Sequence, residues 1–257
     1  MADLIHSSAI ISDKVELGSN VSIGPYSVIG KNVKIGDNSK IGNFVTICEN
    51  TEIGNDCIVF HNSSIGEIPQ DLKFGGEKTK TFIGNRTKIR ESVTINQGTK
   101  ASGETRIGKD CLLMAYVHVG HDSMIGDNVI MANMTTLGGH VFIGDWASIG
   151  GGVLIHQFCK IGSHVFIGGG FRVVQDVPPF ILAAKEPLKY QGINRIGLKR
   201  RGFDQNSRNE IKKIYQLLFS DGMNITQAIK EIKSNIKPSN YRDDVLNFIK
   251  KSDRGII

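Results

Sequence analysis

The 257-residue sequence is poor in proline, in aromatic side chains and in paired cysteines, and it has no long apolar run. Six prolines beside thirty glycines exclude a collagen-like chain and a proline-rich linker, and imply many backbone bends. With aromatics at 7%, ring clusters cannot dominate the core, so small aliphatic side chains must fill it. Cys48, Cys57, Cys111 and Cys159 include no CxxC pair and no zinc-knuckle spacing; reduced structural thiols in a cytoplasmic protein are expected. The opening stretch MADLIHSSAI has no basic segment leading into an apolar one, and no run approaches the ~20 apolar residues of a membrane helix. Neither a signal peptide nor an integral membrane segment is expected.

The net charge of +6 is modest but uneven. Between Lys185 and Lys213 the basic residues Lys189, Arg195, Lys199, Arg200, Arg201, Arg208 and Lys212 face only Glu186, Asp204 and Glu210. Such a segment suits an acidic protein, a phosphate-bearing ligand or a nucleic acid, or is simply a solvated surface.

One register runs through two thirds of the chain. Steps of six from Ile5 meet Ile11, Leu17, Ile23, Ile29, Ile35, Ile41, Ile47, Ile53, Val59 and Ile65. The same phase continues through Ile83, Ile89, Ile95, Ile107, Leu113, Val119, Ile125 and Met131 to Leu137, Ile143, Ile149, Ile155, Ile161 and Ile167. Only Asp71, Glu77 and Ala101 interrupt it, and the phase survives them, so they mark loops pushed out of a continuous coil. A period of six fits a short strand followed by a sharp corner, with an aliphatic residue pointing inward on each face. Three faces close a turn of about 18 residues, stacking equivalent residues at roughly 4.8 Å. Glycines after the inward residue, such as Gly18, Gly36 and Gly126, are read as corner residues that tolerate positive φ and crowding. The chain is therefore expected to be mainly β, a parallel β-helix over residues 1–178 with an insertion at about 67–82.

The pattern stops after Gly168, and Pro178-Pro179 mark the exit into a segment, 179–257, expected to be mainly helical from about 207. Ser207 to Glu210 reads as a capping box, followed by Ile211, Ile214, Tyr215 and Leu218 at helical spacing and Gly222 as terminator. A second helix carries Ile225, Ile229 and Ile232 before Pro238, and a third follows Ser239. Helices there would cover the open end of the coil.

Four of the seven histidines, His118, His121, His140 and His156, fall within about two coils. None is at an inward position. His121 should stack on Gly139 one coil later, with His140 next along and His156 above the same edge. Imidazole suits proton transfer near neutral pH, Asp122 could orient His121, and Gly139 offers an unobstructed N–H to an oxyanion. Two other readings stand beside this one: histidines hydrogen-bonded along a subunit seam, or three histidines on a metal.

Several local stretches add to the repeat. GEIPQDLK (66–73), IRESVTI (89–95), LMAYVHVGHD (113–122), GGHV (138–141), HQF (156–158), QDVPP (175–179), LKRRGF (198–203) and RGI (254–256) resemble the UDP-N-acetylglucosamine 3-O-acyltransferase family. The resemblance spans essentially the whole chain and implies a left-handed β-helix, a homotrimer and a cytoplasmic enzyme opening lipid A synthesis in a Gram-negative bacterium. It implies transfer of an (R)-3-hydroxyacyl chain from acyl carrier protein to UDP-N-acetylglucosamine, with no cofactor, no metal and no nucleic-acid partner. Carried over by position, His121 is the general base, Asp122 its orienting partner and Gly139 the oxyanion donor. His118, His140, His156 and Gln157 line the substrate site. Asp71 and Lys73 reach the sugar nucleotide across a subunit boundary, and Asn194 and Arg200 help bind the nucleotide. Arg201 meets the acyl carrier protein, and Gly169 sets acyl-chain length.

Two departures bear on the substrate. After Ile95 the family commonly has His-Arg, where this chain has Asn96-Gln97, and an acid is common where it has Ile196. An N-acyltransferase for the 3-amino sugar nucleotide is therefore one alternative. A zinc-dependent γ-type carbonic anhydrase, on three histidines, is another, although LKRRGF has no explanation there; a non-catalytic scaffold binding acyl carrier protein or nucleotide is the third.

Overall fold

The computed structural model describes residues 4–220 and 222–257. Among these, 27 short strands precede four helices, α1 (Arg195–Arg200), α2 (Gln205–Leu218), α3 (Ile225–Asn235) and α4 (Asn240–Lys250). The strands form three sheets, the faces of a prism. The first face runs from Ile10–Ile11 to Arg172–Val173, the second from Glu16–Leu17 to Lys160–Ile161, and the third from Ser22–Ile23 to Phe166–Ile167. Coil strands pair in parallel with the equivalent strand one turn away, as in Ile29 with Ile47 and Val119 with Leu137. The fold is the parallel β-helix that the repeat implies, with the left hand that the family resemblance implies.

The period arises from two inward positions per six residues. Ile29, Ile47, Ile65, Ile83, Ile89 and Ile95 are fully buried, filling the prism with stacked branched side chains. A smaller residue two places before each turns inward at the corner, among them Val33, Val45, Val93, Val117 and the thiols Cys57, Cys111 and Cys159. Some hydroxyls at this position are satisfied by a neighbouring coil: Ser39 Oγ donates to the Gly54 carbonyl and Thr87 Oγ1 to that of Gly108, both at 2.8 Å, whereas Thr51 Oγ1 and Thr81 Oγ1 are buried with no partner among the described residues. Burial pushes the Cys111 and Cys159 thiols up to about 11, so these cysteines pack as small apolar residues.

The corners correct the expectation for glycine. Positive φ falls two residues after the glycines, on residues such as Asn38 (58°), Asp56 (56°) and Asn128 (57°). Short polar side chains tolerate this left-handed region better than most. The glycines are needed instead because a Cβ at Gly36 would lie 2.7 Å from Asn55 N, and one at Gly120 2.7 Å from the Gly138 carbonyl carbon. Crowding by the next coil, not the dihedral, selects them.

Both register breaks are loops at one corner. Residues 68–79 leave after the strand Ser64–Glu67 and return at Lys80–Ile83; residues 97–103 link Thr94–Asn96 to Glu104–Ile107. Each passes from the first face to the second, so the insertions lie side by side.

The prolines do not end the sheet. Ile181–Ala184 adds a parallel strand to the third face beyond Pro179, and Lys189–Ile193 turns back antiparallel to cover it. α1 precedes the helical segment expected from 207. The expected capping box at Ser207 is absent: α2 starts earlier, capped by Asp204, whose carboxylate accepts from the Ser207 N–H at 2.7 Å. Ser239 caps α4 as expected, and Asn224 with Gln227 forms a capping box on α3. Tyr215, wholly buried, donates its hydroxyl to the Pro179 carbonyl and so ties α2 to the end of the coil.

His164 occupies a left-handed corner position at 60°, stacked between Trp146 and Phe180 with Phe203 edge-on at 5.0 Å. Burial, with Arg201 nearby, lowers its imidazole to about 4 from an ordinary 6.5. The unfolded chain thus takes up a proton near pH 6.5 that the folded chain refuses until about 4; this contribution to stability is whole above 6.5 and declines between those limits. Phe is already accommodated at such corners, at Phe44, Phe158 and Phe180. The His164→Phe protein is therefore expected to lose less melting temperature between pH 6.5 and 4 than its parent. Equal losses in the two proteins would exclude His164 as the source.

Candidate active site

The two insertions and the histidines share the corner between the first and second faces. His118 projects from the first-face strand His118–Val119, and its Nδ1 lies 2.8 Å from Thr94 Oγ1 one coil earlier. Two residues on, the chain turns at His121-Asp122, and Asp122 takes the left-handed corner conformation at 58°. That turn swings the carboxylate back beside the preceding ring, so adjacent side chains meet: His121 Nδ1 is 2.6 Å from Asp122 Oδ2. The Asp122 side chain is wholly buried, while His121 keeps 14% of its side-chain surface exposed.

Burial works to raise the Asp122 carboxyl, but donors from His121, Ser102 and Thr99 outweigh it and bring it down to about 2. With an ionised carboxylate as its partner, His121 Nδ1 carries the proton and Nε2 presents its lone pair outward. His140 lies edge-on to His121 at 5.0 Å, stacks on Phe158 at 4.5 Å, and holds Nε2 3.6 Å from Asp122 Oδ2. Burial lowers the imidazoles of His118 and His140. Proximity to His121 lowers both further, whereas Asp122 and Asp71 act to raise His140.

Gly139 completes the arrangement. A Cβ there would sit 2.6 Å from both Cε1 and Nε2 of His121, so the bare backbone is what leaves room for the ring. At some corners between the second and third faces the N–H is taken by a side chain of the next coil, as in Asp37 to Asn55 Oδ1 (2.9 Å) and Asp127 to Asp145 Oδ1 (2.8 Å). Above Gly139 stands Gln157, and the Gly139 N–H has no acceptor among the described residues. A lone pair and an unspent donor thus sit on successive coils.

The other expected residues divide. His156 and Gln157 lie on the same corner, exposed, with His156 Nδ1 held 3.1 Å from the Gln157 carbonyl. Asp71 is close enough for its charge to act on His140 of its own chain, and it accepts from the Lys73 N–H at 3.0 Å. Asn194 and Arg200 are elsewhere, lining a cleft of about 930 Å³ between the third face and α1 with Ile130, Phe166, Ile196 and Lys212. Asn194 is already engaged at both ends: its oxygen caps α1 at Gly197 and its amide donates to the His164 carbonyl. Arg201 folds inward, with Nη2 3.4 Å from Ser148 Oγ and its guanidinium over Trp146, rather than standing out from the surface. Gly169 is on the corner between the third and first faces, leading into the strand three places beyond His118 in the first sheet, about 14 Å along the axis.

Sequence reasoning missed Thr99 and Ser102, which fill the Asp122 carboxylate. The break at Ala101 marked their loop, but no spacing rule shows that it folds back onto Asp122. Asn96, one of the two departures, spends its amide on the Ile68 carbonyl at 2.9 Å, bracing the base of the first insertion.

Among the described residues, His121, Asp122 and His140 offer ligand atoms within 4.8 Å of one another. The set suits a hydrogen-bonded pair better than a metal: Nδ1 and Oδ2 face each other at bonding distance, and the carboxylate is already filled. It holds two histidines, not the three of the zinc reading, since His118 is turned to Thr94.

The geometry makes one firm expectation for a single methyl group. In Gly139→Ala the flexible His121 ring yields and the coil stays, so the melting temperature should hardly change while turnover falls at least ~100-fold, the scale of an ångström's misplacement. Turnover near that of the parent, measured on folded protein, would remove the Gly139–His121 contact from the chemistry.

Comparison with known proteins covers nearly the whole chain. Residues 32–67 and 104–139 match the bacterial transferase hexapeptide (six repeats) model, and 176–257 match the second domain of UDP-N-acetylglucosamine O-acyltransferase. An acyl-(acyl-carrier-protein)–UDP-N-acetylglucosamine O-acyltransferase of Aliivibrio salmonicida is 48% identical over 98% of this chain and 97% of its own. One of the same name from Thermodesulfovibrio yellowstonii is 47% identical over 98% of each chain. The crystal structure of a UDP-N-acetylglucosamine acyltransferase from Bacteroides fragilis superposes with a TM-score of 0.96 at 43% identity, covering 98% of this chain and 99% of that one. Repeat, capping domain and nearly full-length identity converge: the chain belongs to the acyl-(acyl-carrier-protein)–UDP-N-acetylglucosamine O-acyltransferase family.

Proposed function

We propose that the chain transfers an (R)-3-hydroxyacyl group from the phosphopantetheine of acyl carrier protein to the 3-hydroxyl of UDP-N-acetylglucosamine, opening lipid A synthesis in the cytoplasm. The carrying observation is the juxtaposition of His121, anchored through Nδ1 to Asp122, with the unspent N–H of Gly139. His121 Nε2 takes the proton of the sugar 3-hydroxyl as its oxygen attacks the thioester carbonyl. The Gly139 N–H receives the charge that gathers on the carbonyl oxygen. As the tetrahedral intermediate collapses, the C–S bond breaks and the imidazolium returns its proton to the departing thiolate. Asp122 stays ionised throughout and offsets the imidazolium. The cycle calls for no covalent enzyme intermediate, metal or resident cofactor.

The enzyme works as a homotrimer in this reading. Asn194, Arg200 and the basic cleft lie over the third face, whereas His121 stands at the corner between the other two. A neighbouring prism can bring its cleft to that corner, so the nucleotide spans two subunits. The basic α1 region, with Arg200 and Lys199 exposed, suits an acidic acyl carrier protein. The acyl chain runs along the first face towards Gly169, where a Cβ would meet the Gly151 carbonyl oxygen at 3.0 Å and the Gly151 nitrogen at 3.5 Å. Oxygen rather than nitrogen as acceptor accords with the O-acyltransferase relatives.

Product mass spectrometry with a panel of acyl carrier protein thioesters, offering both the hydroxyl and the 3-amino sugar nucleotide, tests the reading directly. An ester on the hydroxyl sugar supports it; an amide only, or no product, overturns it. His121→Ala should lower turnover at least ~100-fold with the coil intact; unchanged turnover removes the general base. Gly169→Met should shift the product profile to shorter chains, and an unchanged profile refutes the ruler.

A further inference from the structure

We propose that Thr99, with Ser102, is a positioning residue for the transfer, and that the insertion 97–103 exists to hold the Asp122 carboxylate in the one orientation that aims Nε2 of His121. The proposal rests on the general-base reading of His121. Asp122 Oδ1 accepts from the Thr99 N–H at 2.9 Å, from the Ser102 N–H at 3.3 Å and from the Ser102 hydroxyl. Oδ2 accepts from the Thr99 hydroxyl at 2.8 Å and faces His121 Nδ1 at 2.6 Å. A carboxylate has about four lone-pair sites, so these donors saturate it and fix the plane of the group. Thr99 is the better-defined clamp. It is buried, and its hydroxyl oxygen accepts from the Ala101 N–H at 3.2 Å, which directs its own proton towards Asp122. The single Ser102 proton has a second acceptor, the Glu104 carbonyl at 2.8 Å.

The clamp is itself braced by the other insertion. Thr79 Oγ1 donates to the Gly98 carbonyl at 2.6 Å, and Glu77 accepts from the Lys100 N–H at 3.2 Å and the Gly75 N–H at 2.8 Å. A purely structural loop would need neither both carboxylate oxygens nor a buried hydroxyl aimed at the one shared with His121. Without the Thr99 hydroxyl, Oδ2 keeps His121 as its one hydrogen-bond donor, with His140 Nε2 at 3.6 Å, and the plane of the carboxylate is less tightly fixed. The ring then samples orientations in which Nε2 points away from the acceptor. Thr99 touches no reacting atom and acts only through Asp122.

The test compares Thr99→Val, Thr99→Ser and Ser102→Ala with Asp122→Asn and the double variant Thr99→Val/Asp122→Asn, in the full-length protein. Thr99→Val should lower kcat about 10- to 100-fold with KM for the sugar nucleotide little changed, while Thr99→Ser restores most of the rate. The double variant should be no slower than Asp122→Asn, because two groups acting through one contact do not add. Nitrogen-15 NMR of the His121 ring should show the Nδ1-protonated tautomer in the parent and a mixture in Thr99→Val. Should Thr99→Val not fold, Ser102→Ala carries the same readouts with a smaller loss. Full additivity, a Thr99→Ser no better than Thr99→Val, or an unchanged tautomer would sink the positioning role while leaving His121 as base. Asp122→Asn and His121→Ala turning over at the parent rate would overturn both at once.

Discussion

One strand spacing separates His121 from Gly139, and the chemistry depends on the ladder that sets it. Parallel pairing of Val119 with Leu137 places the residues two beyond each strand at the same corner, in register, without any side-chain contact having to bring them together. The core of stacked isoleucines exists to keep that ladder straight. A slip by one residue would turn every inward aliphatic outward, so the register is strongly specified. Catalytic geometry is therefore inherited from packing along the whole prism, not built by a local pocket.

The corners explain where the site can be. A strand two or three residues long, paired on both sides, has no room for extra chain, so insertions must leave from corners. Both leave from the one that carries His121, and each is then used. The loop 68–79 carries Asp71 to within reach of His140, and the loop 97–103 wraps Asp122. The left-handed corner conformation contributes as well. At Asp122 it turns a carboxylate against the preceding imidazole, and at His140 it lays a ring on Phe158.

Much of this was legible in the sequence, for reasons that also mark its limits. The six-residue phase predicted the coil, the inward residues and the stacking of His121 on Gly139, because a repeat converts sequence distance directly into space. For Gly36 the crowding half of the expectation held and the positive-φ half did not, since the left-handed residue falls two places later, at Asn38. The true start of α2 at Asp204 and the strand Ile181–Ala184 lay outside any periodic pattern, where several caps compete and a proline does not forbid a following strand. Thr99 and Ser102 escaped for the same reason: once the phase breaks, spacing says only that a loop exists. Asn194 and Arg200 lie outside the repeat, so its phase gave them no position relative to His121.

The distribution of charge around His121 has a consistent purpose. His118 and His140 are held below the ordinary imidazole value chiefly by burial, which disfavours positive charge on either ring. Asp122, brought down to about 2, supplies a permanent negative charge on the buried side of His121. In the proposed mechanism His121 accepts the sugar proton, and the new positive charge would form beside a carboxylate already saturated with donors, which needs no rearrangement to receive it. Protonated neighbouring rings would oppose that charge. Burial that disfavours the charged forms of His118 and His140 thus suits the proposed role of His121 as base.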